Sequence, residues 1–154
     1  MRCSISILFC LVLAGCGFDE TLYRADKPVS REVASKKIPL PFPSSATNIY
    51  FAFYAGGMQD LEEYVRFTVD PKELDGCVSN ILSDHDKTFQ QHNSYTSLPI
   101  TAAPSAPRSS HLSPMPWWGP TSITNGYFRG STDARPIWIW VDALQHIIYV
   151  CETD

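Results

Sequence analysis

Two cysteines, four tryptophans and a few clustered acids and histidines are the side chains of this 154-residue chain that could do chemistry. Cys77 falls on the apolar stripe of an expected helix, and Cys151 ends an expected strand. If Ile147, Tyr149 and Cys151 face that helix, the two sulfurs meet. The resulting disulfide would close about 75 residues and contribute roughly 4 kcal/mol on the chain-entropy model. The alternative is two separate buried thiols acting as small apolar residues. Trp138 and Trp140 alternate with Ile137, Ile139 and Val141, so the tryptophans share one strand face. They form either an aromatic patch for a partner, in the manner of binding hot spots, or a surface covered by a fold-back of Trp117 and Trp118. The cover is the favoured reading, and a loop that moves as a lid reconciles the two.

Other clusters carry less. Asp84-His85-Asp86, with His92 nearby, lacks the i, i+4 spacing of a helical metal site, and no second ligand pair follows. No metal or cofactor is expected. His111 and His146 fall in loops or at a strand edge. Glu62 and Glu63 are neighbours on a strand and point to opposite faces. Gly-x-Ser-x-Gly, Ser-x-x-Lys and Cys/His nucleophile signatures are missing, and Gly56-Gly57 is a turn signal. No catalytic residue is assigned.

The first residues have the layout of a secretory signal peptide. Arg2 supplies positive charge, Ile5 to Leu13 form an apolar run, and the small residues Ala14 and Gly15 precede Cys16. The run is about half the length a membrane-spanning helix needs.

Leu13-Ala14-Gly15-Cys16 resembles the lipobox of bacterial lipoproteins. The resemblance covers residues 1–16. It implies that the Cys16 thiol receives diacylglycerol, that cleavage occurs before it, and in many bacteria that the new amino group is acylated. Two or more acyl chains anchor stably, whereas one is marginal. Residue 17 is Gly, not Asp, which by the same resemblance favours the outer membrane, facing the periplasm. Cys3 and Cys10 leave with the signal peptide, so Cys77 and Cys151 remain as an even pair in an oxidising compartment.

Residues 17–44 show no sustained apolar period, and Ile38-Pro39-Leu40-Pro41-Phe42-Pro43 favours extended chain. They read as a tether, giving a division into signal peptide 1–15, lipidated cysteine and tether 16–44, and globular domain 45–154. The domain carries 6 Lys and Arg against 12 Asp and Glu, so a nucleic-acid footprint is missing.

Within the domain, Ile49 to Tyr54 and Glu62 to Val69 predict two strands joined by a turn at Ala55–Asp60. Asp70-Pro71-Lys72-Glu73 is a helix start. Leu74, Cys77, Val78, Ile81, Leu82, His85 and Phe89 then recur at helical spacing. Residues 90–122 are proline-rich, with six of the twelve prolines between Pro99 and Pro120, yet too apolar to float freely. Thr124–Phe128, Ile137–Val141 and Ile147–Cys151 predict three more strands. The expected fold is α+β: an antiparallel sheet of about five strands in the order ββαβββ, one covering helix and a long proline-rich loop.

These features predict a membrane-anchored envelope lipoprotein that acts as a non-enzymatic binding or interaction module, of inhibitor or envelope-assembly type. Its expected partners are the membrane, through Cys16, and an envelope protein. A small periplasmic hydrolase or ligand-binding domain with residues 90–122 as a lid stays open, as does a structural envelope protein without a discrete site.

Overall fold

The structure is a computed structural model and describes residues 20–56, 60–90, 93–132 and 135–153. Cys16 and His92 lie outside the described residues, as does part of the expected Ala55–Asp60 turn. Among the described residues, seven antiparallel strands form one sheet: β1 (Thr21–Val29), β2 (Thr47–Gly56), β3 (Asp60–Thr68), β4 (Thr96–Pro99), β5 (Gly126–Ser131), β6 (Ile137–Asp142) and β7 (Ile147–Thr153). The helices are α1 (Arg31–Ser35) and α2 (Leu74–Phe89). In space the strands run β1-β2-β3-β7-β6-β5-β4.

All five expected strands and the expected helix are present as β2, β3, β5, β6, β7 and α2. The count of about five is corrected to seven by β1 and β4, which are the two edges of the sheet. An edge strand contacts the core sparsely and tolerates charge and proline. Thr21–Val29 is accordingly exposed along most of its length and contains Lys27 and Pro28. Residues 21–44 were expected as a tether, but they belong to the fold. β1 pairs with β2 from Thr21↔Ala55 to Val29↔Ile49. Ala34, Ile38 and Phe42 are buried in the core beyond it.

Strand alternation divides the core into two halves. Ile49, Phe51, Val65, Phe67, Ile137, Ile139, Ile148 and Val150 face the helices, where α2 contributes Leu74, Cys77, Val78, Ile81 and Leu82. Tyr64, Trp140, Ile147, Tyr149 and Cys151 face the opposite way. α2 begins three residues later than Asp70-Pro71 suggests. The Asp70 carboxylate instead accepts from the Lys72 amide at 2.9 Å, which makes a turn ahead of the helix.

The same alternation excludes the Cys77–Cys151 disulfide. Ile148 and Val150 meet the helix, so Cys151 points to the far side of the sheet. Both cysteines are free and buried. A one-residue parity difference on β7 separates the sulfurs by the thickness of the sheet.

Candidate functional site

The tryptophan face is covered. Residues 100–123 lie across it and form a third layer over the sheet. Leu112 is fully buried, and Ile123, Phe128 and Trp140 pack in the same cluster. Trp118 meets Tyr64, Trp140 and Tyr149 edge-on at centroid distances of 5.0, 6.0 and 5.5 Å. Trp117 stacks on Tyr50 at 5.8 Å and donates its Nε1–H to Asp26. Trp138 is partly buried against this cluster, and Trp140 donates to the Pro104 carbonyl at 3.3 Å.

Polar anchors fix the layer. The Arg24 guanidinium donates to the carbonyls of Leu112 and Pro114. The Glu62 carboxylate accepts from the Ser109 hydroxyl, and from the Ser110 hydroxyl (2.6 Å) and amide (3.2 Å). Burial pushes the Glu62 carboxyl up, but these hydrogen bonds and the nearby His111 outweigh it and hold the group below the usual range. His111 is spent in stacking on Tyr54 at 4.0 Å. His146 occupies a left-handed position in the β6–β7 turn, where Asp142 accepts from the Leu144 and Gln145 amides. A smaller cavity of about 190 Å³ lies within this layer, beside Pro104, Ile123 and Trp140.

A cavity of about 330 Å³ opens on the other face, between the sheet, the second half of α2 and residues 37–41. Its floor is one cross-strand row. The pairings Tyr23↔Phe53, Phe53↔Glu63, Glu63↔Glu152 and Glu152↔Ile137 run across five adjacent strands, and all five residues line the cavity. The ends of the row are apolar and the centre carries two acids. Directly opposed residues have Cβ atoms about 5 Å apart, where like charges repel. The chain relieves this by keeping one acid neutral. Glu63 is buried, and burial followed by the negative charge of Glu152 pushes its carboxyl up to about 8.

α2 adds His85 above the acids. The ring is buried and rests at 4.9 Å from Phe89. Burial lowers its pKa, with Arg135 acting in the same direction and Asp86 opposing, so the imidazole is neutral at pH 7. Among the described residues its Nε2 has no hydrogen-bond partner, and it lies 3.9 Å from Glu152 Oε1. That separation is too long for a direct hydrogen bond. Arg135 and Lys37 lie over the rings of Phe89 and Tyr23 at 4.4 and 4.3 Å, which places both cations against aromatic faces. Among the described residues, no group of three or more His, Cys, Asp or Glu side chains has the geometry of a metal site.

Sequence reasoning separated Glu62 from Glu63 correctly but passed over Glu63, because its partner Glu152 is 89 positions further along the chain. It set Asp84-His85-Asp86 aside for lacking metal-site spacing, whereas His85 is on the inward stripe that the spacing itself identified. The proline-alternating residues 39–41 read as spacer, yet they form part of the cavity wall. No protein family, curated protein or solved structure matches the chain.

Proposed function

We propose that this protein is a lipid-anchored envelope binding protein whose domain takes up a small molecule in the cavity between the sheet and α2. The observation that carries the reading is the floor row Tyr23–Phe53–Glu63–Glu152–Ile137: a mostly apolar recess with a few convergent polar groups and a strongly shifted carboxyl. That combination is the usual mark of a ligand site. A chain evolved only for packing gains nothing from two acids and an imidazole whose Nε2 is unpartnered among the described residues in one recess, since each costs free energy to desolvate. The tryptophan face supports an interaction surface less well, because Trp140 is covered and Trp118 is enclosed by other rings.

Membrane attachment through Cys16 remains part of the proposal, on the lipobox resemblance. Cys16→Ser should abolish incorporation of a fatty-acid analogue, and retained labelling overturns the anchor. For the cavity, n-propylbenzene should raise the thermal unfolding midpoint saturably, by the linkage between binding and stability. Leu61→Trp, which places an indole at the cavity wall, should remove the rise. A wild-type midpoint unaffected by both this probe and 3-phenylpropanol overturns the reading.

The carboxyl pair favours one second reading, a small hydrolase with neutral Glu63 as general acid and ionised Glu152 as general base. Of the expected lid, residues 90–122, the stretch from residue 100 onward packs on the opposite face of the sheet, which supports this reading less. Turnover of aryl glycosides or esters that disappears in both Glu63→Gln and Glu152→Gln would favour it, and turnover unchanged in both would remove it.

A further inference from the structure

The chemistry of the ligand's head follows from the hydrogen-bond state of His85, granted the binding reading above. Asn93 lies beside the ring. Its Nδ2 donates to Asp86 Oδ1 at 3.1 Å, which fixes the amide with its nitrogen toward α2. The same nitrogen is 3.4 Å from both His85 Nδ1 and the Tyr95 hydroxyl oxygen. An amide nitrogen only donates, so Nδ1 is assigned as acceptor and the imidazole proton to Nε2. This N–H is 95% buried with its side chain, lines the cavity and donates to nothing among the described residues.

Across the recess stands Glu152 Oε1, 3.9 Å away. One atom placed about 2.8 Å from both would bridge the gap. It must accept from Nε2–H and donate to the carboxylate. A hydroxyl oxygen does both. An ammonium has no lone pair to accept with, and a carboxylate has no proton to donate to Glu152 and would meet its charge. With Glu63 neutral, the cations Lys37 and Arg135 are matched in number by Asp84 and Glu152 in the lining, so its charge favours neither ion. Phe53, Tyr23 and Ile137 leave the remainder of the recess apolar.

We infer that the cavity takes a neutral, hydroxyl-bearing molecule with an apolar body, its oxygen bridging His85 Nε2 and the Glu152 carboxylate. Glu63, held protonated beside the bridge at neutral pH, adds a second donor and strengthens the exclusion of cations.

The test is calorimetric titration of the full chain in phospholipid nanodiscs at pH 7, with empty nanodiscs subtracted. Four probes share one body: 3-phenylpropanol, 3-phenylpropylammonium, 3-phenylpropanoate and n-propylbenzene. The alcohol should bind at least about tenfold more tightly than each of the others, the ratio expected of one or two buried hydrogen bonds. His85→Phe should weaken the alcohol about tenfold or more and leave n-propylbenzene within about threefold. An ammonium or carboxylate that binds as tightly as the alcohol overturns the inference and leaves the binding reading standing. So does an alcohol no tighter than n-propylbenzene. Failure of all four probes on the wild type overturns both. If His85→Phe does not fold, the ranking of the four probes on the wild type decides the matter.

Discussion

The two faces of the sheet are built from the same strands and differ by one residue of parity, yet they solve burial in opposite ways. On the loop face, tryptophans, tyrosines and Leu112 interlock, and the Glu62 carboxylate holds the covering chain with three hydrogen bonds. On the helix face, the sheet and α2 leave a recess whose acids oppose each other and whose imidazole N–H is unpartnered. Glu62 and Glu63 make the contrast within two residues. The first is held ionised below its usual range and the second is held neutral well above it. The filled face stabilises the fold by packing, although the Tyr64 hydroxyl and the Trp118 indole N–H have no hydrogen-bond partner among the described residues. A recess open beside a buried, unpartnered N–H is where a ligand gains most, because its own groups complete the hydrogen bonding.

The comparison is most easily broken by truncation on the filled face. Trp140→Ala removes a fully buried indole and should lower the free energy of unfolding by about 3–5 kcal/mol in urea denaturation. A loss below about 1 kcal/mol would mean that the proline-rich layer does not pack as described.

On the recess side the expected sign reverses with pH. The folded Glu63 carboxyl titrates at about 8, against an ordinary 4.5. Between those values the folded chain binds the extra proton, so wild-type stability falls as pH rises from 4.5 through 8. Glu63→Gln cannot ionise. It should match the wild type near pH 4 and exceed it by about 2–4 kcal/mol at pH 9. His85 has the opposite dependence. Its pKa is lowered in the fold, so its contribution is lost as pH falls below the ordinary 6.5. Parallel pH profiles for Glu63→Gln and wild type would show that Glu63 is not buried beside Glu152.

A smaller effect is expected at the layer's anchor. Glu62→Ala should cost about 1–3 kcal/mol, the consequence of leaving the Ser109 and Ser110 donors without an acceptor. Amide exchange should accelerate at Ser110 to Leu112 and remain unchanged on α2. Faster exchange on α2 would mean that the two layers are not separately attached.

The smallest expected effect is none. Thiol titration of the denatured protein without reductant should return Cys77 and Cys151 as free, and reductant should leave the unfolding midpoint unchanged. A protected pair would place both sulfurs on one face and invert the assignment of β7.

Much of the central sheet was legible because its signals are local. Val65, Phe67 and Val69 alternate, as do Ile137, Ile139 and Val141, and Leu74 to Leu82 recur at helical spacing, so each segment announces its own period. β1 was hidden because an edge strand has little need of such a period, and Arg24, Asp26, Lys27 and Pro28 obscure it. β4 was hidden by being four residues long. The cavity was not legible at all as a site, since its central pair joins position 63 to position 152.

The amino-acid order by itself determined the signal layout ahead of Cys16, which residues share a face within each element, and that Trp138 and Trp140 need either a partner or a cover. Tertiary structure alone decided which face met the helix, and with it the fate of the cysteines and the meeting of Glu63 with Glu152. The reason is physical. Periodicity is written along the chain at a spacing of two or 3.6 residues. Strand register is a long-range choice, and a shift of one residue exchanges everything on one face for everything on the other.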